Sequence, residues 1–261
     1  MDEPKISIVV LMNEYKELIS IFNYNYNNIE YPKDKLDWII IDDSEENNID
    51  LFPVSENVLY LHMNDSKEYL DKITFTSEKD KKDKVIHNYF LKTNTLPDGF
   101  KRDYGVGISS HEYIFHMDMG SIYHKKVIKR KLKFLKKNHL ECVYCDSMLC
   151  YNNGKIYKIE DNLRAYEETL FHTKEFWKRS GFVWEDVCNE GDKFHYNNGN
   201  DRKMDVYYDT IKFINIHNFC NYKYKEVKID GLDIFTPDFL KDLKIKENNI
   251  KFKLNKFFKG N

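Results

Sequence analysis

The sequence predicts an α/β fold built on a mixed, mostly parallel central sheet flanked by helices. Three observations carry that expectation. Ile6–Leu11 is a short apolar run, rich in β-branched residues and without polar alternation, which is the pattern of a strand buried on both faces. Asn13–Tyr26 follows, with Leu18, Ile19 and Phe22 at the spacing of one helix face. Leu36–Ile41 then repeats the buried-strand pattern, and β-α-β alternation of this kind makes a parallel pair with a right-handed crossover.

The other elements follow in order. Tyr31-Pro32 closes the first helix, since the residue before a proline is pushed out of the helical region. Val58–His62 reads as a third strand. Asp65–Phe100 carries the charge run Ser77–Lys84 and the turn Leu96-Pro-Asp-Gly99, and reads as a solvated helical excursion, with a lid over a ligand as the alternative. Lys101–Ser110 leads into strand Tyr113–Met117. Lys125–Asn138 is a basic helix whose apolar stripe is Val127, Ile128, Leu132 and Leu135. Glu141–Tyr151 and Lys155–Ile159 form a hairpin that turns on Asn152-Asn-Gly154. Thr173–Ser180 is a short helix, Asp205–Ile216 holds two strand-like pieces, and Phe235–Leu243 is a last helix. The organisation expected is one α/β domain over residues 1–225 and a C-terminal extension over 226–261. In that extension, Ile250–Lys259 alternates lysines with Phe252 and Leu254 before Phe257-Phe258. Those aromatics suit packing on the main domain, with peripheral contact to an anionic membrane as the alternative.

Composition narrows the function classes. A chain of 261 residues that is 41% hydrophobic has enough apolar material for a full core. A net charge of −2 is too balanced for a generic nucleic-acid binder. The sequence shows neither a membrane-spanning run nor a signal-peptide profile. Cys142, Cys145, Cys150, Cys188 and Cys220 are odd in number and scattered, which fits reduced thiols in a cytoplasmic setting. Cys142-Val-Tyr-Cys145 has zinc-ligand spacing but no second pair at a suitable distance, so core thiols are the expectation there. Neither a P-loop nor a dinucleotide fingerprint is present. The richness in Asn, Lys, Ile and Tyr matches an AT-biased genome, such as that of a protist or a large DNA virus.

Residues that carry chemistry gather at strand ends, where open α/β sheets bind ligands. Asp42 and Asp43 close the second strand and suit hydrogen bonds from a ribose or a uracil imide, although acids there also cap a following helix. Lys101-Arg102 suits a diphosphate, with the guanidinium able to grip phosphate oxygens in a fork. Asp118 ends the Tyr113–Met117 strand, and a carboxylate there suits a hard divalent cation bridging phosphates. A second oxygen ligand is expected two residues later, but that position is Gly120. His116 and His124 flank the same place.

The order of these segments resembles the GT-A fold glycosyltransferases, specifically the family-2-like group. There a "KRN-x-G" segment precedes "geyI-x-hxDDDD-x-Y". Lys101-Arg102-Asp-Tyr-Gly105 and Glu112-Tyr113-Ile114, with Asp118 and Tyr123, match it, while Met119, Gly120 and Ser121 replace the other acids. Thr169–Trp177 and Gly181–Phe194 resemble the acceptor-side segment, and Ile214-Asn-Ile-His217-Asn218 is similar to a late strand with a ligating histidine. The resemblance covers roughly residues 5–225. It implies transfer of a sugar from a nucleotide-diphosphate donor, UDP-linked by expectation, to a hydroxyl of a glycan or protein, with inversion. Asp42, Asp43 and Asn13 would contact the nucleoside end, and Lys101 and Arg102 the diphosphate. Asp118 and His217 would hold Mn²⁺ or Mg²⁺. Glu190 or Asp192 would be the base, although Glu190-Gly191 departs from the family's Glu-Asp. The damaged acidic motif leaves two alternatives, a metal-free diphosphate site using Lys101, Arg102 or His124, and a catalytically inactive domain with a binding or structural role.

Overall fold

Strands that are mostly apolar make the spine of the molecule. β1 (Ile6–Met12) lies between β2 (Leu36–Asp42) and β4 (Tyr113–Asp118), parallel to both, and β2 pairs onward in parallel with β3 (Val58–His62). Every residue of β1 is buried, as a strand covered on both faces requires. The structure, a computed structural model, describes residues 3–12, 18–63, 93, 95–152, 155–160, 165–184, 190–196, 201–204, 209–213 and 223–226.

Among these residues the main sheet is completed by β6 (Cys142–Tyr144), β9 (Phe171–Thr173) and β10 (Asp201–Lys203), giving the order β10-β6-β9-β4-β1-β2-β3. Only β9 runs against its neighbours, so the sheet is mixed and mostly parallel, as expected. A second sheet has the order β12-β8-β7-β11-β5, from β5 (Ser121–Tyr123), β7 (Ser147–Asn152), β8 (Lys155–Glu160), β11 (Thr210–Phe213) and β12 (Lys223–Glu226). β7 and β8 form the expected hairpin, with Asn152 opposite Lys155.

Alternation along the central strands divides the core between the two faces. Ile6, Ile8, Val10 and Met12 pack with Phe22 of α1 (Ile19–Asn28) and with Val127, Ile128, Leu132 and Leu135 of α3 (Val127–Lys137). Val9, Leu11, Ile39 and Ile41 face the other way. They meet Val106 of α2 (Asp98–Ile108), Phe176 of α4 (Lys174–Ser180) and Phe194 of α5 (Glu190–Tyr196). Gly105 lets α2 lie directly on β1, since a Cβ there would sit 2.7 Å from Val9 Cγ1.

Three expectations need correction. Glu141–Tyr151 is not one strand but two, β6 and β7, in different sheets. The backbone of Cys145 breaks the run: its N–H donates to Thr169 Oγ1 (2.9 Å) and its carbonyl accepts from Tyr166 N (3.0 Å). Leu96-Pro-Asp-Gly99 is the start of α2 rather than a turn, with Pro97 preceding the first helical residue, so Lys101 and Arg102 stand on a helix. β10 had no counterpart in the sequence reading. Most of Asp65–Phe100, the helix Phe235–Leu243 and the Ile250–Lys259 tail lie outside the described residues, as do Asn13–Glu17, where the first helix was expected to begin.

One polar pair lies within this core. His116 and His172 face each other across β4 and β9, with Nε2 atoms 2.9 Å apart, and His172 Nδ1 is 2.8 Å from the Thr173 carbonyl. A carbonyl only accepts, so the network assigns a proton to His172 Nδ1, leaves its Nε2 bare, and makes His116 Nε2–H the donor. Both rings are fully buried, and burial holds both below the usual histidine value of 6.5, His172 at about 4. The unfolded chain therefore binds protons that the folded one excludes, and stability falls as pH drops through 6.5 toward 4. His172 is expected to remove about 2 kcal/mol between pH 7 and pH 5, and His116 acts in the same direction. Denaturant titrations at the two pH values measure this, and His116→Leu/His172→Phe should flatten the slope between pH 6.5 and 5.

Candidate active site

The strand order 3-2-1-4 reverses between β1 and β4, and ligands of open α/β sheets bind outside the carboxyl ends of the strands at such a reversal. Asp118 stands there, as the last residue of β4 and level with Leu11 of β1. The turn after it is short because Tyr123 Oη accepts from the Asp118 N–H (3.0 Å). Buried Asn25 of α1 holds β5 in place, donating to the Ser121 carbonyl (2.8 Å) and accepting from Tyr123 N (3.1 Å).

α2 sends three consecutive charged residues into this region, and successive helical residues point about 100° apart. Lys101 reaches Asp43 Oδ2 (3.2 Å) and Asp98 Oδ1 (2.8 Å). Arg102 donates from Nε to Glu190 Oε1 (2.7 Å) and from Nη2 to Asp118 Oδ1 (2.8 Å). Asp103 accepts from Trp177 Nε1 (2.6 Å), Phe182 N (3.0 Å) and Trp184 Nε1 (2.7 Å). Gly181, at φ +63°, lets the chain turn over this carboxylate, since a Cβ there would come within 2.7 Å of Asp103 Oδ1.

The other oxygen of Asp118 meets Lys212. Lys212 Nζ is 3.2 Å from Asp118 Oδ2 and 2.6 Å from Glu168 Oε1. Strand pairing sets up both contacts. β11 pairs antiparallel with β5, which sets Lys212 opposite Ser121, just past Asp118. β4 pairs antiparallel with β9 (Tyr113 with Thr173, Phe115 with Phe171), and His116 N still donates to the Leu170 carbonyl. β9 therefore begins beside β4, and the single 3-10 turn Glu167–Thr169 just ahead of it carries Glu168 to the side of Lys212 facing Asp118. The result is a chain of alternating charge, Glu190–Arg102–Asp118–Lys212–Glu168. Burial works against the charge of each cation, but the flanking carboxylates hold both well above their ordinary pKa. Burial also opposes the charge on Asp118, yet Lys212 and Arg102 hold it below the usual carboxylate range. Glu168 is raised by burial, against the pull of Lys212, and Glu190 is pushed by burial up to about 8, against that of Arg102. Neither Glu168 nor Lys212 had been singled out from the sequence, although β11 pattern places buried Ile211 on one side and Lys212 on the other.

The remaining expected residues divide clearly. Glu190 starts α5 and faces Arg102, whereas Asp192 Oδ1 accepts from Ala165 N (2.6 Å) and ties α5 to the 165–167 segment. Gly191 is needed at that approach, because a Cβ would sit 2.5 Å from the Ala165 carbonyl oxygen. Asp42 is saturated: Oδ1 accepts from Ser44 N (2.8 Å) and Ser44 Oγ (2.5 Å), and Oδ2 from Asn48 Nδ2 (3.2 Å) and the Tyr60 hydroxyl. It shapes the loop after β2. Asp43 accepts from Leu96 N (2.9 Å) as well as from Lys101. His124 Nδ1 accepts from Lys126 N at the start of α3 (3.1 Å), and Cys142, Cys145 and Cys150 are buried free thiols. Asn13 and His217 lie outside the described residues.

A divalent ion requires several oxygen or nitrogen ligands around one point. Among the described residues no group of three His, Cys, Asp or Glu side chains is so placed, and both Asp118 oxygens already carry cations. The described residues by themselves therefore make no metal site, and His217, the other expected ligand, lies outside them.

Comparison with known proteins gives the architecture its name. No protein-family model matches the chain, and no curated protein sequence does. Solved structures do match. S. aureus TarS 1-349 in complex with UDP-GlcNAc aligns at 13% identity with a TM-score of 0.57, over 81% of this chain and 59% of that one. The mannosyltransferase PcManGT from Pyrobaculum calidifontis, in complex with GDP-Man and Mn²⁺, aligns at 11% identity with a TM-score of 0.52, over 82% of this chain and 57% of that one. The fold is GT-A. This chain spans about three fifths of the length of those two.

The wall built by Asp103 is directly testable. Asp103→Ala removes one acceptor from three donors, two of them indoles. It should destabilise the protein by about 2–4 kcal/mol and red-shift the emission of Trp177 and Trp184. Fluorescence-monitored unfolding measures both effects.

Proposed function

We propose that the protein is a glycosyltransferase that moves a sugar from a nucleotide-diphosphate donor, UDP- or GDP-linked, to a hydroxyl of a glycan or protein. The observation that carries this reading is the position of the Asp118–Arg102–Glu190 cluster. It stands at the β1/β4 reversal of a GT-A fold, whose solved neighbours include complexes with UDP-GlcNAc and GDP-Man. Asp43, at the end of β2, is the nucleoside contact, and Arg102 belongs to the diphosphate end. Glu190 is the base, with Asp192 positioning it through Ala165.

In the inverting step the acceptor O–H gives its proton to Glu190 while its oxygen bonds to the anomeric carbon. The bond from that carbon to the diphosphate oxygen breaks, and the nucleoside diphosphate leaves with the electron pair. A carboxylate lifted by burial toward neutral pH suits a base, because its basicity then matches its working range. The rival reading, a GT-A domain kept for binding alone, predicts nucleotide binding without turnover or no nucleotide binding at all.

Titration calorimetry with UDP and GDP, followed by hydrolysis and transfer assays with the matching sugar donors, tests the proposal. Nucleotide binding with turnover is expected. Glu190→Gln should cut turnover about 10²- to 10⁴-fold while nucleotide binding persists, and Asp192→Asn should cut it far less. A base works only when deprotonated, so the rate should climb as pH rises toward and through about 8. Turnover unchanged in Glu190→Gln would remove it from the role of base.

A further inference from the structure

Resting on the donor-site reading above, we infer that Lys212, together with Arg102, takes the place of a divalent ion in holding the donor diphosphate, so that nucleotide binding requires no metal. The geometry is specific. The Lys212 ammonium lies between two carboxylates, 3.2 Å from Asp118 and 2.6 Å from Glu168. A metal shared by the same two acids would have to occupy that position, and a fixed cation there excludes it by charge and by volume. Two unit cations, Arg102 and Lys212, bracket Asp118, one on each carboxylate oxygen, and together carry the charge of one divalent ion.

Unused donors remain on both cations. An ammonium has three N–H groups; two of those on Lys212 face Asp118 and Glu168, and the third is left for a phosphate oxygen. Among the described residues Arg102 Nη1 is buried with no hydrogen-bond partner, and it lies beside Asp118, where a phosphate oxygen could accept from it. The side chains of Lys212 and Asp118 are each 24% exposed, whereas that of Arg102 is 3% exposed. Lys212 is thus the member of the pair that an incoming diphosphate meets first. Among the described residues Lys101, the neighbour of Arg102 on α2, is committed to Asp43 and Asp98.

The experiment is calorimetric titration of UDP and GDP into the full chain, in EDTA and in Mn²⁺, for the wild type, Lys212→Met and Lys212→Arg, with melting temperatures as the check on folding. Wild-type affinity should be the same within about twofold in EDTA and in Mn²⁺. Lys212→Met should bind about tenfold or more weakly, and Lys212→Arg should recover most of that loss. A lysine that merely braces the fold would leave the wild type free to depend on metal. Binding that appears only with Mn²⁺ overturns the inference and leaves the donor reading standing. Wild-type affinity in a folded Lys212→Met also overturns it. If Lys212→Met does not fold, the wild-type metal comparison and Lys212→Arg decide the question. Failure of the wild type to bind UDP or GDP under either condition overturns both the inference and the donor reading.

Discussion

The arrangement of the site depends on one buried arginine. Arg102 is 2% exposed, and a guanidinium so far from water is tolerable only where carboxylates replace its hydration. Glu190 and Asp118 do so from two separate elements, α5 and β4. Because removing one partner of a buried pair costs about 3–5 kcal/mol, the arginine fixes the distance between those elements as firmly as a core contact would. The helix that carries it has little freedom of its own. Gly105 seats α2 on Val9, Lys101 pins it to the end of β2, and Asp103 pins it to the Trp177–Trp184 segment. Adjacent positions on one helix thus tie together three walls of the crevice.

Much of this was legible in the sequence, for a physical reason. β1, β2 and β4 are buried on both faces, so their apolar runs stand out without homologues, and their ends name Asp42, Asp43 and Asp118. Arg102 stands out as half of a Lys-Arg pair suited to a diphosphate, and Glu190 only through the family resemblance. What could not be read is pairing between distant segments. Lys212 becomes a neighbour of Asp118 through the antiparallel register of β11 with β5, where a slip of one residue would send it to the opposite face, and Glu168 arrives on the 3-10 turn Glu167–Thr169 that leads into β9. The split of Glu141–Tyr151 was hidden for the same reason, since the hydroxyl and backbone groups that interrupt it come from Tyr166 and Thr169.

Departures from the expected motif turn out to have local causes. Gly191 stands where an acid was expected because the Ala165 carbonyl leaves no room for a side chain. At Gly120 no second acid follows Asp118. Glu168 comes near from another segment, and it arrives with Lys212 between it and Asp118. Each substitution looks like damage in a linear motif and is accommodated in three dimensions.

The two acidic strand ends show how structural and functional polarity differ. Asp42 is fully buried, and both its oxygens are satisfied by Ser44, Asn48 and Tyr60, so a ligand would gain nothing by displacing them. The Asp118 cluster is open and incomplete. Its aspartate and Lys212 reach solvent, and among the described residues Arg102 Nη1 and Glu168 Oε2 are buried without partners. An unsatisfied buried polar atom costs about 1–3 kcal/mol, and a fold gains no stability by leaving one beside a crevice. A ligand that supplies phosphate oxygens to the donors of Arg102 and Lys212 would recover that cost on binding. The cluster at the end of β4 thus differs from the closed one around Asp42 in leaving polar atoms that a ligand could satisfy.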